Sequence, residues 1–277
     1  MIHPVFPHEA MATSFEIVVA NCDPTYARQA ASAAFRELDR LESELSRFVE
    51  SSDIARANRL AFGESIIIGD DTLECLLLAV DASLATGRAF DPSYASIPAD
   101  GRPSDALPFS LDPATHRLIS NAARLQLDLG AIGKGYALDC LADVLRAWEI
   151  DSACLNAGGS TVLALAAPPG RTGWSTSIGN DGTYTRELLL TDAALSASGL
   201  AVKGAHLLDP RTGQPASRVG RTWALAPTAA LADSLSTAFF VLEDDAIANF
   251  CAARAEIGGA SLCGNILTSF GRLCDSG

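Results

Sequence analysis

The chain has 277 residues, with 20 Lys+Arg against 33 Asp+Glu and a formal net charge of −13. Apolar residues make up 48% and charged residues 19%, enough for a sizeable core and outside the range of disordered chains. The acidic balance excludes a general nucleic-acid or anionic-membrane binder, which neutralises phosphates with Lys and Arg, and the longest apolar stretch, Leu76–Val80, is far too short to span a bilayer.

From the N-terminus, MATSFEIVVA is β-branched and alternating and predicts a strand. In the segment that follows, Asp23 caps a helix with Pro24 in its first turn, and Ala30, Ala33, Phe35, Leu38, Leu41 and Leu45 form its apolar stripe. The polar stretch SSDIARANRL leads to ESIIIGD, a short strand. Asp71–Ala85 predicts a second helix, with Gly87 where a C-terminal cap falls. The Pro-, Ser-, Asp- and Gly-rich stretch from Asp91 to Pro113 predicts a loop.

RLQLDLG alternates as a strand, AIGKG reads as a tight glycine turn, and YALDCLADVLRAWEI as an amphipathic helix. SACLNAGGSTVLALAA predicts strand, glycine turn and strand. WSTSIGN and RELLLTD read as strands, whereas ALSASGLAVKGAHLLDPRTGQPA is a loop-rich stretch. ALADSLSTAFFVL predicts a helix, Asp244–Ala255 another, and LCGNILTSF a closing strand. There is no regular βαβ alternation and no internal repeat, so the expected class is α+β with an antiparallel sheet, one domain with two lobes.

The seven cysteines are odd in number and none are spaced as CxxC, which disfavours a zinc knuckle and a disulfide framework. Cys140 and Cys154 sit in apolar runs where small buried thiols are expected. The opening MIHPVFPHEA has neither a basic start nor an apolar core, so the expected location is cytoplasmic.

Three constellations carry chemistry. The first, Asp128-Leu-Gly-Ala-Ile-Gly-Lys-Gly135, joins a predicted strand to a predicted helix. It is not a Walker motif: only two residues separate Gly130 from Gly133-Lys134, and Gly135 stands where that motif has Ser or Thr. Glycines that permit close approach, outward N–H groups and a lysine at a helix N-terminus still suit a phosphate, although an ordinary strand-to-helix turn with a solvated lysine would read the same. The second is Asp233 and Thr237, four residues apart on one helix face. A carboxylate plus a hydroxyl suits Mg²⁺, but a dipole-stabilising aspartate beside a packed threonine has the same spacing. The third is His206-Leu-Leu-Asp-Pro-Arg-Thr-Gly213, a histidine beside turn residues, suited either to proton transfer or to packing.

Taken together with Met11-Ala-Thr-Ser, Leu45-Ser-Arg-Phe48, Gly87-Arg-Ala-Phe-Asp-Pro92, NAGG and SASG, these segments resemble the ApbE family, the FAD:protein FMN transferases, in the family's order and over nearly the whole chain. The resemblance implies a single flavin-transferase domain over residues 1–277, T-fold-like, with two lobes around a flavin cleft. It further implies FAD as substrate, Mg²⁺ as cofactor, and transfer of FMN to a Ser or Thr hydroxyl of a target flavoprotein with release of AMP. Met11, Phe48, Ala89, Phe90, Asp91, Asp128, Lys134 and Leu207 match positions lining the family's FAD site. Asp233 and Thr237 match metal-ligand side chains, the carbonyl of Ala131 a main-chain ligand, and His206 the histidine that assists proton removal from the acceptor. The chain departs from the family pattern at Ala12, commonly Gly, at Ala197, commonly Thr, and at Ser160, often acidic. Two alternatives use the same residues: an FAD pyrophosphatase yielding FMN and AMP, and a non-catalytic flavin-binding protein.

Overall fold

A computed structural model of the protein describes residues 3–99, 106–180, 184–199, 208–216, 218 and 220–274. The first hairpin pairs β1 (Val5–Ala10) with β2 (Thr13–Val19). Its two turn residues, Met11 and Ala12, are both left-handed, at φ 51° and 57°. That geometry suits a two-residue hairpin, and at Ala12 it is one that glycine would adopt without steric cost. The predicted cap at Asp23 is present, its carboxylate accepting the N–H groups of Thr25 and Tyr26, and α1 runs from Pro24 to Leu45.

The polar stretch expected after α1 instead contains a short helix, α2 (Asp53–Ala57), capped by the Ser52 hydroxyl, which accepts the Ala55 N–H at 3.0 Å. β3 (Ser65–Ile67) and α3 (Asp70–Ala85) follow as expected, and Gly87 turns the chain at φ 57°. The stretch expected as a loop carries β4 (Ile97–Pro98) and β5 (Phe109–Asp112), then β6 (Arg117–Ser120) and β7 (Ala122–Arg124). RLQLDLG is not a strand beyond Arg124. AIGKG is not a free turn either, because α4 (Gly133–Ala147) begins inside it.

β8 (Ala153–Ala157) and β9 (Thr161–Ala164) flank the left-handed Gly158 and Gly159, and β10 (Trp174–Asn180) pairs with β11 (Tyr184–Leu190). ALSASG, expected within a loop, is β12 (Ala193–Gly199). It lies between β9 and β15 with a ladder on each side, so its backbone pairing overrides a composition of small and polar residues. β13 (Leu208–Asp209) and β14 (Gln214–Pro215) form a minimal hairpin, followed by β15 (Arg221–Ala226), α5 (Ala229–Val241), α6 (Asp244–Ala252), β16 (Gly258–Cys263) and β17 (Ile266–Gly271).

The class is α+β, and the strands pair antiparallel. The main sheet runs β1-β2-β8-β9-β12-β15-β16-β17. Alternation along its central strands divides the apolar residues between two cores. Ala194, Ala224 and Ala226 face the core built with α1, α3, α4 and α5, whereas Ala193, Leu195, Trp223 and Leu225 face a second core with Trp174, Ile178, Leu188 and Leu190 of β10 and β11. Alanines on the first face let α5 lie close against the sheet, and that closeness places Asp233 among strand side chains.

Candidate active site

Two helices meet at the site, and a glycine permits the meeting. A Cβ on Gly135 would lie 2.1 Å from the Ala229 carbonyl oxygen, so the start of α4 abuts the start of α5 only because no side chain intervenes. Asp139, one turn further along α4, accepts the N–H groups of Ala229 and Ala230, both at 2.8 Å. It thereby satisfies donors that the first turn of α5 leaves open. Burial pushes its carboxyl up to about 6, against the opposing pull of those two N–H groups.

Asp233, in the second turn of α5, has a side chain 5% exposed. Its carboxylate is surrounded by donors. Oδ2 accepts the Gly135 N–H at 3.2 Å, Oδ1 accepts the hydroxyls of Ser196 at 3.2 Å and Thr161 at 3.3 Å, and the Lys134 ammonium lies 3.2 Å from Oδ2 and 3.4 Å from Oδ1. Thr161 and Ser196, opposite each other in the ladder, are themselves 2.9 Å apart. The hydroxyl chain continues from Ser196 to Ser236, then to Ser198 at 2.9 Å, and ends at Thr237, 3.1 Å from Ser198. Asp233 and Thr237 are therefore linked by a run of oxygens, not by direct contact.

The loop before α4 connects this cluster to a second group of expected residues. Lys134 Nζ also donates to the Gly130 carbonyl at 3.1 Å, and Gly130 N–H donates to Asp128 Oδ1 at 2.9 Å. Ala131 stands in that loop, packed on the core. The Asp128 N–H donates to the Pro92 carbonyl, which brings the Asp91 segment alongside, and Asp128 Oδ2 pairs with Arg47 at 2.9 Å. Asp91 is held by Ser93 and by Arg88, 3.3 Å away. Phe48 is 79% exposed, with the Arg47 guanidinium over one face of its ring, 4.7 Å from the centroid.

Other expected residues are placed differently. Ala89 and Phe90 are buried in the helical core, so their side chains do not face a cleft. Met11 is tied to α1 through its N–H to Glu42 Oε1 at 2.9 Å, and its turn packs on the paired glycines, with Thr13 filling the space a Cβ on Gly158 would need. His206 and Leu207 lie outside the described residues.

Sequence reading missed Thr161, Ser196, Ser198 and Asp139. The serines had a signal, the two-residue spacing in SASG that puts both on one strand face, but only a strand assignment gives that spacing meaning. Cys140 and Cys154, expected to be buried, are only half-buried, whereas Cys75 and Cys251 are buried. All seven cysteines are free thiols, and burial pushes Cys140 and Cys154 up to about 12 and Cys251 up to about 11.

The donor set around Asp233 suits one kind of metal. It offers a single buried carboxylate with neutral oxygens beside it, and among the described residues no group of three His, Cys, Asp or Glu converges. Mg²⁺, which uses one or two carboxylates and takes its remaining oxygens from water and substrate phosphates, fits.

The family model for the ApbE family matches residues 11–259. The chain belongs to the ApbE family. Among relatives bearing the name FAD:protein FMN transferase, that of Treponema pallidum (strain Nichols) is 34% identical over 150 residues, 47% of this chain and 41% of its own length. That of Rhodobacter capsulatus is 27% identical over 217 residues, 67% of this chain and 41% of its own length. The chain thus spans about two-fifths of the length of these two relatives. The fold of the ApbE family is matched in full. The flavinyl transferase ApbE of Pseudomonas stutzeri in its apo form superposes with a TM-score of 0.83 at 21% identity, covering 99% of this chain and 96% of that one. The ApbE protein of Thermotoga maritima gives 0.82 at 22% identity, covering 99% of each.

Proposed function

We propose that this chain, acting as one unit over residues 1–277, moves FMN from FAD onto a Ser or Thr hydroxyl of a target flavoprotein and releases AMP. The observation that carries the reading is the contact between Lys134 and Asp233 at the abutting starts of α4 and α5. An ammonium, a buried carboxylate and the N-terminus of α4, whose Gly135 N–H that carboxylate accepts, converge on one loop, the equipment for holding a pyrophosphate and neutralising it.

In the reaction, the acceptor hydroxyl oxygen forms a bond to the phosphorus of the FMN moiety. The bond from that phosphorus to the bridging oxygen breaks, and AMP departs with the electron pair. Lys134 holds the pyrophosphate by charge, Phe48 offers a stacking face, and Asp91 and Asp128 fix the loops that flank it. His206, assigned from its match to the family histidine, takes the hydroxyl proton. Asp233, Thr237 and the Ala131 carbonyl would hold Mg²⁺, which when bound supplies charge stabilisation to the phosphoryl oxygens. Thr161 and Ser196 keep the Asp233 carboxylate oriented. The free thiols suit a reducing compartment, which is where we place the reaction; among the described residues no helix is long and apolar enough to cross a membrane.

The test is mass spectrometry of an acceptor flavoprotein domain incubated with the chain, FAD and Mg²⁺, alongside the Asp233→Asn variant. The expected result is an FMN adduct on a Ser or Thr, sharply reduced in Asp233→Asn while circular dichroism shows the fold retained. AMP release at the same rate without acceptor, and no adduct, would overturn it in favour of hydrolysis. Intact FAD after prolonged incubation would point to a flavin-binding protein.

A further inference from the structure

Three of the four groups on the Asp233 carboxylate are fixed parts of the frame. The Gly135 N–H belongs to α4, and Thr161 and Ser196 project from adjacent buried strands with their hydroxyls 2.9 Å apart. A carboxylate offers about four lone-pair directions, and these three take the inward ones. The remaining direction is filled by Lys134, the one donor that carries charge and hangs on a flexible stem. Its ammonium neutralises a carboxylate that would otherwise be buried and uncompensated, which is costly.

We infer that Lys134 is a place-holder for the divalent cation: it occupies the cation's position on Asp233 until the substrate pyrophosphate draws it away. The inference rests on the proposed metal role of Asp233. Two positive charges do not share one carboxylate direction at low cost, so a cation reaching Asp233 without substrate has to displace the ammonium. An arriving pyrophosphate offers the ammonium a stronger partner and leaves Asp233 needing a cation. The second acceptor of Lys134, the Gly130 carbonyl, sits on the loop that carries Ala131, so the side chain has a tether during the exchange. Substrate and cation then bind cooperatively, each raising affinity for the other by the same factor. The FAD-free protein is correspondingly guarded against idle metal loading.

Titration of the FAD-free full chain with Mn²⁺, read by the electron paramagnetic resonance signal of the free ion, tests this. Lys134→Met keeps the apolar stem and removes the ammonium, and it should bind Mn²⁺ at least about ten-fold more tightly than the wild type, equivalent to about 1.4 kcal/mol. Lys134→Arg, which keeps a charge, should stay near the wild type. Lys134→Met should also melt lower than the wild type without metal and recover when Mn²⁺ is added, a readout independent of turnover. Mn²⁺ affinity in Lys134→Met equal to or weaker than wild type, while Asp233→Asn still abolishes binding, would overturn the place-holder and leave the metal site standing. Mn²⁺ binding unaffected by Asp233→Asn would overturn both.

Discussion

Asp139 shows how a single side chain ties the site to the fold. Its two hydrogen bonds run to the start of α5 and hold Asp233 at a set height along α4. Desolvation outweighs them and raises its carboxyl from 3.8 to about 6. A raised carboxyl pKa means that the folded state binds more protons than the unfolded state between those values, so its contribution to stability is full below about pH 4 and is lost as pH rises through about 6. At about 1.4 kcal/mol per unit, the loss is on the order of 3 kcal/mol. Urea midpoints of wild type and Asp139→Asn at pH 4 and pH 7 isolate this group. The wild type should lose stability relative to the variant as pH rises. A difference that holds constant or grows would mean that the two N–H groups, not burial, dominate.

Among the elements, the starts of α4 and α5 decide the site, and their contact can be probed one methyl at a time. At Gly135 an added Cβ meets backbone at 2.1 Å, and neither helix can yield without breaking the Asp139 and Asp233 bonds. At Gly133, two residues earlier, the same methyl meets Leu129 Cβ at 3.6 Å, ordinary contact. Gly135→Ala should therefore cost about 2–3 kcal/mol and most of the transfer activity. Gly133→Ala should be neutral or stabilising by up to about 1 kcal/mol, since alanine suits a helix better. Thermal unfolding of the pair checks this, and equal effects would refute close packing as the cause.

Elements were legible in the sequence where one periodicity coincided with end signals. α1 had a proline start and an apolar stripe, and β8 and β9 had glycines between them. RLQLDLG misleads because its alternation is real in burial, with Leu125, Leu127 and Leu129 all inward, but its backbone bonds elsewhere. The Leu127 N–H goes to Asn58, the Gln126 N–H to Ser96 and the Asp128 N–H to Pro92. Alternation reports which side chains are inside; it does not report what the N–H groups find. β12 errs the other way, because small and polar residues conceal a strand whose position between two partners, unknowable locally, decides it. The Asp233 cluster has the same limitation. Asp233, Thr237 and Lys134 stood out by motif, whereas Thr161 and Ser196 join only through a ladder between distant segments.

At the scale of the whole molecule, the proposed substrate and the protein carry charge of the same sign. The net charge is −13, while among the described residues the local cations at the site are committed: Arg47 to Asp128, Arg88 to Asp91 and Lys134 to Asp233. An FAD dianion therefore meets a repulsive far field before it meets any attractive contact. Screening acts mainly on the far field, because the Debye length shrinks from about 30 Å at about 10 mM salt to about 8 Å at about 150 mM, whereas contacts at 3 Å or so are scarcely screened. FAD affinity, measured by flavin fluorescence at a fixed low Mg²⁺ concentration, should rise with NaCl across that range, by about three-fold or more. This is opposite in sign to a protein that captures phosphates with a basic surface, whose affinity salt weakens. Affinity that falls with salt would instead show that Lys134, Arg47 and Arg88 outweigh the net charge at the distance where capture is decided.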